Sequence, residues 1–155
     1  HKKFHSTDVD VPENPRSWDH CLIVIETGGL RIVHWGDNRH NPPDDIWRAL
    51  GHIDIALLPV DASQHVMGHI HTQAIIDRLK PRVIIPHHYY IWDVVQRQST
   101  LQTADAWVEA YPESEHLLKP TRTYRIDEVD KFDRVVHFFG DNVIFDKEAW
   151  LKNGR

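Results

Sequence analysis

The sequence contains very little cysteine: Cys21 is the only one in 155 residues. A single thiol excludes an intrachain disulfide framework, and it also excludes a zinc site built from several thiolates. Such a composition is compatible with a reducing compartment. We therefore expect a cytoplasmic protein.

Long apolar runs and an excess of basic residues are also absent. No apolar run approaches the roughly 20 residues that a membrane-spanning helix needs, and the polar opening HKKFHSTDVD is unlike a secretory signal. The 23 acidic residues outnumber the 18 basic ones, which gives a formal net charge of -5. Because no overall positive field exists to attract phosphate groups, nucleic acid and anionic membranes are not expected as partners.

Methionine is equally scarce, and its position bears on where the chain starts. Met67 is the single methionine and residue 1 is a histidine, so we expect a piece of a longer or processed protein. A chain of this length fits one domain. Residues 1–19 are predicted to form an extended, proline-broken loop, and residues 20–155 to form the folded part. Histidine, in contrast, is abundant, and the 13 imidazoles are potential metal ligands.

The first predicted element is a β-hairpin. Two short β-branched segments, CLIVIET and LRIVHW, are separated by Gly28 and Gly29, a combination that is typical of a tight hairpin turn. Downstream, DDIWRAL predicts a short helix that Asp44 or Asp45 would cap.

A strand, helix and strand follow in that order. IDIALLPV and RVIIP are nearly continuous apolar runs of strand length, as expected for strands covered on both faces. Between them, HVMGHIHTQAIIDRLK predicts a helix whose apolar side carries Val66, Ile70, Ala74 and Ile75. This order predicts a βαβ unit whose parallel strands end at the same edge of a sheet.

The rest of the chain predicts further elements of the same kinds. LQTADAWVEAY predicts an amphipathic helix, and YRIDE predicts a later strand. DRVVHFFGDNVIF predicts the last two strands, which are joined by a turn at residues 140–142. The fold class is therefore α/β, with a mixed sheet and flanking helices.

Two polar positions follow predicted strands at the point where each strand ends. Asp37 comes directly after a strand and a glycine, in RIVHWGDN, where the backbone can approach a ligand. His87 and His88 follow RVIIP, in which Pro86 stops further ladder bonding. Each residue alone is more often a turn or surface residue. The correct order of the elements between them favours a shared metal site.

At these residues the sequence resembles the metallo-β-lactamase-fold hydrolases, in the branch that includes lactonases and phosphodiesterase-like members. The matching text is HWGDN, DIALLPV and MGHIHTQAIIDRLKPRVIIPHHY, within a resemblance that runs from about Ser17 to Tyr90. The resemblance implies that Asp37 bridges two metal ions and that His88, rather than His87, binds the second. It also implies an upstream histidine ligand, for which His5 is the best positional match and His1 a poorer one.

The resemblance further implies a fold and a chemistry. The fold is an αββα sandwich, of which this chain supplies the C-terminal half, with the metals at the sheet edge between the halves. Zinc or manganese, as one or two ions in the complete enzyme, would supply a metal-bound hydroxide that attacks an ester, lactone or phosphodiester bond. Asp37 would act as the catalytic residue through the metals. The substrate itself and the oligomeric state stay open.

One motif of the family is missing. The HxHxDH segment, which supplies the ligands of the first metal, should precede the hairpin and is absent, while HIHTQA repeats only its opening and comes too late. We therefore expect this chain to bind one ion weakly or none, and to be inactive unless another segment or chain supplies the missing N-terminal half.

Other interpretations compete with this one. His65 and His69 lie four residues apart, a workable spacing for zinc on a helix, although a solvated helix face is more common. Tyr89, Tyr90 and Trp92 are candidate walls of a substrate pocket, although aromatic residues after a strand often simply pack in the core. The chain could also be a non-catalytic binding or scaffolding module that kept the fold, or a plain α/β domain. His34 and Trp35 point to opposite faces of their strand, and the sequence leaves open which of them faces the site.

Overall fold

The computed structural model describes residues 21–63, 66–109, 117–118 and 125–140. The strands in these ranges are β1 (Ile23–Thr27), β2 (Leu30–His34), β3 (Ile55–Pro59), β4 (Val83–His87), β5 (Leu117–Leu118) and β6 (Val135–Phe138). The helices are α1 (Asp44–Leu50), α2 (His69–Leu79), α3 (Trp92–Val95), α4 (Asp105–Glu109) and a 3-10 helix (Ile126–Lys131). None of these helices is long and apolar enough to cross a membrane.

The strands form one mixed sheet in the order β1-β2-β3-β4-β6-β5. Only the β1–β2 pair is antiparallel, and it turns at Gly28 and Gly29, both of which have positive φ as a tight hairpin turn requires. The predicted hairpin is confirmed. β3 and β4 are parallel neighbours joined through α2, so the predicted adjacent parallel strands are confirmed as well.

One face of the sheet is covered by the helices. Its alternate residues, among them Ala56, Leu58 and Ile84, belong to a buried cluster with helix residues such as Ile76 and Trp107. Because successive side chains of a strand point to opposite faces, the near-continuous apolar runs supply a second apolar face as well. This α/β arrangement with a mixed sheet agrees with the fold class expected from the sequence.

The second face of the sheet is covered only in part by the described residues. Val129 and Phe132 of the 3-10 helix region pack over Ile55 and Val83 at one end. Towards the hairpin the same face carries Ile32, Leu57 and Ile85, which are half-buried, and Ile23 and Ile25, which are 53% and 48% exposed. We call these last five residues the open sheet face.

The helix α2 differs from the prediction in its start and in its buried side. It begins at His69, after an extended Gly68 that provides no side-chain cap. Ile70 is 77% exposed and Ala74 is exposed as well, so the predicted apolar side is wrong at both positions. The prediction started the helix too early, at residue 65, which shifted its phase. The side that packs on the sheet is Thr72, Ile75, Ile76 and Leu79.

Two further predictions are wrong in local structure. YRIDE does not lie in a strand, because residues from Ile126 to Lys131 form a 3-10 helix. Val129 in this helix and Phe132, its C-cap residue three positions on, both pack on the sheet. Neither Asp44 nor Asp45 caps α1, because Pro43 is the N-cap residue. The two aspartates lie in the first turn, where the helix dipole favours negative charge. The expected leading loop and the strand after residue 140 lie outside the described residues.

A buried carboxylate stabilises the end of the sheet opposite to the strand tips that carry Asp37 and His88. Asp54 Oδ2 accepts a hydrogen bond of 2.8 Å from the Arg31 backbone N–H, and Asp54 Oδ1 lies 3.0 Å from His52 Nε2. Burial by itself raises the pKa of Asp54. The Arg31 N–H and the nearby His52 and Arg82 outweigh it, so the pKa is lowered below its usual range.

We predict that Asp54→Ala lowers the free energy of unfolding by about 1–3 kcal/mol, because the Arg31 N–H loses its partner. Urea denaturation of the two proteins measures the difference. Asp133→Ala, at an exposed aspartate outside this network, is the matched control and should change stability by less than about 0.5 kcal/mol. Equal losses in both variants would contradict the assignment.

Candidate metal centre

The carboxyl ends of three neighbouring parallel strands meet at one edge of the sheet. β2, β3 and β4 are adjacent and parallel, so the residues that follow them share this edge. Asp37 follows β2 and His88 follows β4. The structure brings their side chains together, with 3.4 Å between His88 Nε2 and Asp37 Oδ1.

The loop that presents Asp37 is fixed on both sides of the residue. Trp35 is fully buried, and its backbone N–H donates to the Leu57 carbonyl at 3.0 Å. Gly36 adopts a φ of +62°, which reverses the chain just before Asp37 and favours glycine. Asn38 Nδ2 donates to the Trp35 carbonyl at 2.6 Å. Asp37 itself stays 57% exposed in its side chain, so it is available to a ligand.

His88 is presented by a strained backbone. β4 remains hydrogen-bonded to β3 through its last residue, because the Val60 N–H donates to the His87 carbonyl at 3.1 Å. His88 then adopts a φ of +56°. This left-handed conformation is uncommon for a residue with a Cβ atom, and such strain is frequent at functional sites.

A second histidine pair lies beside the Asp37–His88 contact. The rings of His34 and His87 stack across β3, with centroids 4.5 Å apart and planes 25° apart. The pKa of His87 is lowered to about 4, first by burial and then by the neighbouring His34 and His88, which together outweigh the opposing effect of Asp37 and of a hydrogen bond with the Leu57 backbone. His87 is therefore neutral at neutral pH. Of the two residues that the sequence left open, His34 lies on this side and Trp35 is in the core.

Asp61 Oδ1 and His87 Nε2 are buried at this edge and lack a hydrogen-bond partner within the described ranges. Asp61 is fully buried just beyond β3, and its Oδ2 accepts a hydrogen bond from the Ser63 hydroxyl. The sequence analysis missed Asp61, although the rule that found Asp37 and His88, a polar residue directly past a buried strand, applies to it equally.

The other predicted ligands are not brought to this contact by the described part of the chain. His5 and His65 lie outside the described residues. His69 is the first residue of α2, and the alternative pairing of His65 with His69 lies outside the described residues. Across the described ranges, no group of three or more His, Cys, Asp or Glu side chains is placed to hold a metal ion.

The histidines of HIHTQA have separate partners. His69 Nε2 lies 3.2 Å from the Val60 carbonyl, whereas the His71 ring stacks on His40 with centroids 3.8 Å apart. The two histidines of this segment therefore contact different parts of the chain.

The predicted pocket aromatics lie in different environments. The Tyr89 hydroxyl donates to the Gly140 carbonyl at 2.9 Å, and its ring packs edge-on against Phe138, so this side chain is anchored in the core. Trp92 is the first residue of α3 and is 57% exposed. The Tyr90 and Trp92 rings meet edge-on, with centroids 6.1 Å apart. The Tyr90 hydroxyl donates to the Arg97 carbonyl at 2.6 Å.

Comparison with known proteins gives a family match that covers the candidate site. A family model described as beta-lactamase superfamily domain matches residues 2–88. A UPF0173 metal-dependent hydrolase of Thermococcus onnurineus is 37% identical over 73 residues, which are 46% of this chain and 32% of that protein. Another UPF0173 metal-dependent hydrolase, from Thermus thermophilus, is 29% identical over 108 residues, which are 68% of this chain and 45% of that protein.

A solved structure shares the fold. It is described as a candidate Zn-dependent hydrolase of the metallo-beta-lactamase superfamily from Thermotoga maritima. The TM-score is 0.62 with 25% sequence identity, over 76% of this chain and 57% of that one. The chain spans about a third to just under half of the length of the two curated relatives described above.

The buried His87 generates a prediction on pH. Its folded pKa of about 4 lies below the ordinary value of 6.5, so the unfolded chain takes up the proton first as the pH falls. Its share of the stability is therefore complete above about pH 6.5 and is lost towards pH 4, by about 3 kcal/mol at roughly 1.4 kcal/mol per pKa unit. In His87→Phe this part of the pH dependence should disappear. Urea denaturation with chelator at pH 7 and pH 4 measures it, and identical pH slopes in both proteins would contradict the prediction.

Proposed function

Because the chain belongs to the metallo-β-lactamase superfamily, we propose that it supplies the second-metal half of a metal-dependent hydrolase site, with Asp37 and His88 as ligands of a divalent ion. The observation that carries the proposal is the 3.4 Å contact between His88 Nε2 and Asp37 Oδ1. Relatives named metal-dependent hydrolases support the same reaction class.

The two donor atoms fit a divalent ion. Imidazole nitrogen and carboxylate oxygen bind zinc at about 2.0–2.2 Å, and two ligands of a tetrahedral ion at such distances lie about 3.4 Å from each other. The donor atoms of His88 and Asp37 have this separation. Zinc and manganese both accept this mixed donor set, so the proposal covers both metals.

The residues of this chain would hold and space the ion. Asp37, exposed at the end of a fixed loop, offers a carboxylate that can bridge two ions, and His88 offers one nitrogen to the second of them. A bound divalent ion lowers the pKa of water and polarises the scissile bond. We propose an ester, lactone or phosphodiester as the bond that is hydrolysed.

The ligand set is incomplete in the described part of the chain, which offers two donors at this contact. His5, in the part matched by the family model, is proposed as a third ligand. The HxHxDH ligands of the first metal are absent from the printed sequence, so we propose that another segment or chain supplies them. The buried atoms Asp61 Oδ1 and His87 Nε2 support this idea, since each leaves hydrogen-bonding capacity unused at the same edge.

The open sheet face supports the same proposal. Ile23 and Ile25 expose about half of their surface, and Ile32, Leu57 and Ile85 continue this apolar area towards His34 and His87. Contiguous apolar surface of this kind marks an interaction site. We propose that it packs against the second sheet of an αββα sandwich, which the missing half supplies, and that residues 20–155 form the C-terminal half of that domain.

The substrate contact of this half is proposed to be Trp92. Its exposed ring follows His88 by four residues and is free to contact an apolar part of a small molecule. Tyr89 contributes by anchoring the loop, through the hydrogen bond from its hydroxyl to the Gly140 carbonyl and the packing of its ring against Phe138. The single, exposed Cys21 supports a reducing compartment, the cytoplasm, as the place of action.

A non-catalytic binding or scaffolding module is the second candidate function. One observation favours it: the described part of the chain contains no group of three potential ligands. Such a module would unfold identically with and without chelator, and Asp37→Ala would leave it unchanged.

We predict that the chain binds one Mn²⁺ ion weakly through Asp37 and His88. Mn²⁺ added to ¹⁵N-labelled protein should broaden most strongly the amide signals nearest to the ion, those of residues 36–38 and 87–88. Asp37→Asn or His88→Gln should weaken binding by about 10-fold or more. Asp45→Asn, at an exposed aspartate of α1, is the matched control and should behave as wild type. Broadening that is strongest elsewhere, or broadening that survives both site substitutions, would contradict the assignment.

We also predict that hydrolysis requires the missing half. The chain alone should not hydrolyse a lactone, a carboxylic ester or a phosphodiester, whereas a mixture with a polypeptide that carries an HxHxDH half should do so in the presence of Zn²⁺ or Mn²⁺. Asp37→Asn in the mixture should abolish the gain. Steady turnover by the isolated chain with two tightly bound ions would show that the half-site is wrong.

A further inference from the structure

His34 contacts both segments of the chain that precede the proposed ligands. Its Nδ1 accepts a hydrogen bond of 3.1 Å from the Gly36 backbone N–H, the residue before Asp37. Its ring stacks on His87, the residue before His88. One side chain at the end of β2 therefore links the Asp37 loop to the end of β4.

The hydrogen bond to Gly36 fixes both the loop and the ring. An acceptor at residue 34 closes a short turn over residue 36, where the chain adopts its positive φ. Since Nδ1 accepts, the hydrogen of the neutral imidazole is on Nε2. The bond thus orients the ring, and the turn that it closes, over residues 34–36, ends directly before Asp37.

The stack with His87 crosses the strand between the two loops. β3 separates β2 from β4 in the sheet, and the rings of His34 and His87 meet across it at 4.5 Å. The His87 backbone is held by its own bond to β3 through Val60, so this ring is a rigid platform. A shift of His34 would move the Asp37 loop relative to that platform and to His88.

We propose that His34 is a positioning residue that sets the approach of Asp37 to His88, and thereby the affinity of this pair for a divalent ion. The part that concerns the ion rests on the proposed function. The part that concerns the approach of the two side chains does not, because the 3.4 Å contact exists in the chain itself.

Three variants separate the two contacts of His34. His34→Asn keeps an acceptor, since an asparagine oxygen reaches the N–H two residues on, but it loses the stack. His34→Phe keeps a ring for stacking but loses the acceptor. His34→Ala loses both. His52→Ala, at an exposed histidine distant from this edge, is the matched control for removal of an imidazole.

Two readouts do not involve a metal. The first is hydrogen exchange of the Gly36 amide, which should accelerate in His34→Phe and His34→Ala but not in His34→Asn. The second is the nuclear Overhauser effect between the Asp37 β-protons and the His88 ring, which should weaken in all three variants and be lost in His34→Ala. Urea midpoints show whether each variant is folded, and the Asn and Phe variants suffice if the Ala variant is not.

The third readout is the Mn²⁺ dissociation constant, measured by paramagnetic broadening. It should rise about 10-fold in His34→Ala, as expected when a group that orients a metal ligand is removed, and by less in His34→Asn and His34→Phe. A purely structural role would instead lower the urea midpoint and leave the dissociation constant unchanged in the folded protein.

The outcomes for the two proposals are distinct. An unchanged Asp37–His88 Overhauser effect in the variants would overturn the role of His34, and so would unchanged Mn²⁺ affinity where the wild type binds. If the wild type binds no Mn²⁺ at this pair while the Overhauser effect depends on His34, the positioning role stands and the proposed metal site fails.

Discussion

The parallel alignment of β2, β3 and β4 is the constraint on which the rest of the structure depends. Parallel neighbours send all their carboxyl ends to the same edge of the sheet, so residues that are far apart in the chain emerge side by side. Asp37, Asp61 and His88 each follow one of these three strands within three residues. The 3.4 Å contact of Asp37 with His88 is a direct consequence of this alignment.

The backbone beyond the strand ends converts this proximity into a defined geometry. Gly36 and His88 both adopt positive φ. Glycine has no Cβ atom and tolerates this conformation, whereas the Cβ atom of His88 makes it strained. Trp35 and Asn38 hold the first loop, and the bond from Val60 to His87 holds the second. The backbone next to each proposed ligand is therefore held in place, as a site requires when two side chains must keep a defined separation.

The sequence could predict the parts of this arrangement that follow from local rules. Glycines at residues 28 and 29 indicated a hairpin, and the apolar runs of β3 and β4 indicated buried parallel strands. The order of these elements favoured a meeting of Asp37 with His88, but the parallel pairing of β2 with β3 that produces it was not predicted. The stack of His34 on His87 could not be predicted, because it depends on the rotamers of two rings that reach across a third strand. Asp61 was within reach of the same rule and was missed.

The errors have physical causes of the same kind. α2 begins at His69, and its N-cap residue is Gly68 rather than a Ser, Thr, Asp or Asn, so no local signal marked its first residue and the phase of its buried side was misjudged. YRIDE alternates in polarity like a strand, yet Val129 and Phe132 bury themselves through a spacing of three rather than two. In both cases packing against the sheet, rather than the local sequence pattern, determined the secondary structure and the buried side.

The candidate site and the open sheet face lie on the same side of the sheet, and this has an energetic consequence. His34 and His87 project from the face that carries Ile32, Leu57 and Ile85, since residues two apart on a strand share a face. In the proposed sandwich, a second sheet that covers these side chains would bring its own metal ligands to the same edge. Burial of the open face and completion of the ligand set would then be one event. A divalent ion that binds only the assembled form would stabilise the assembly by its own binding free energy, so metal affinity and association of the halves would rise and fall together.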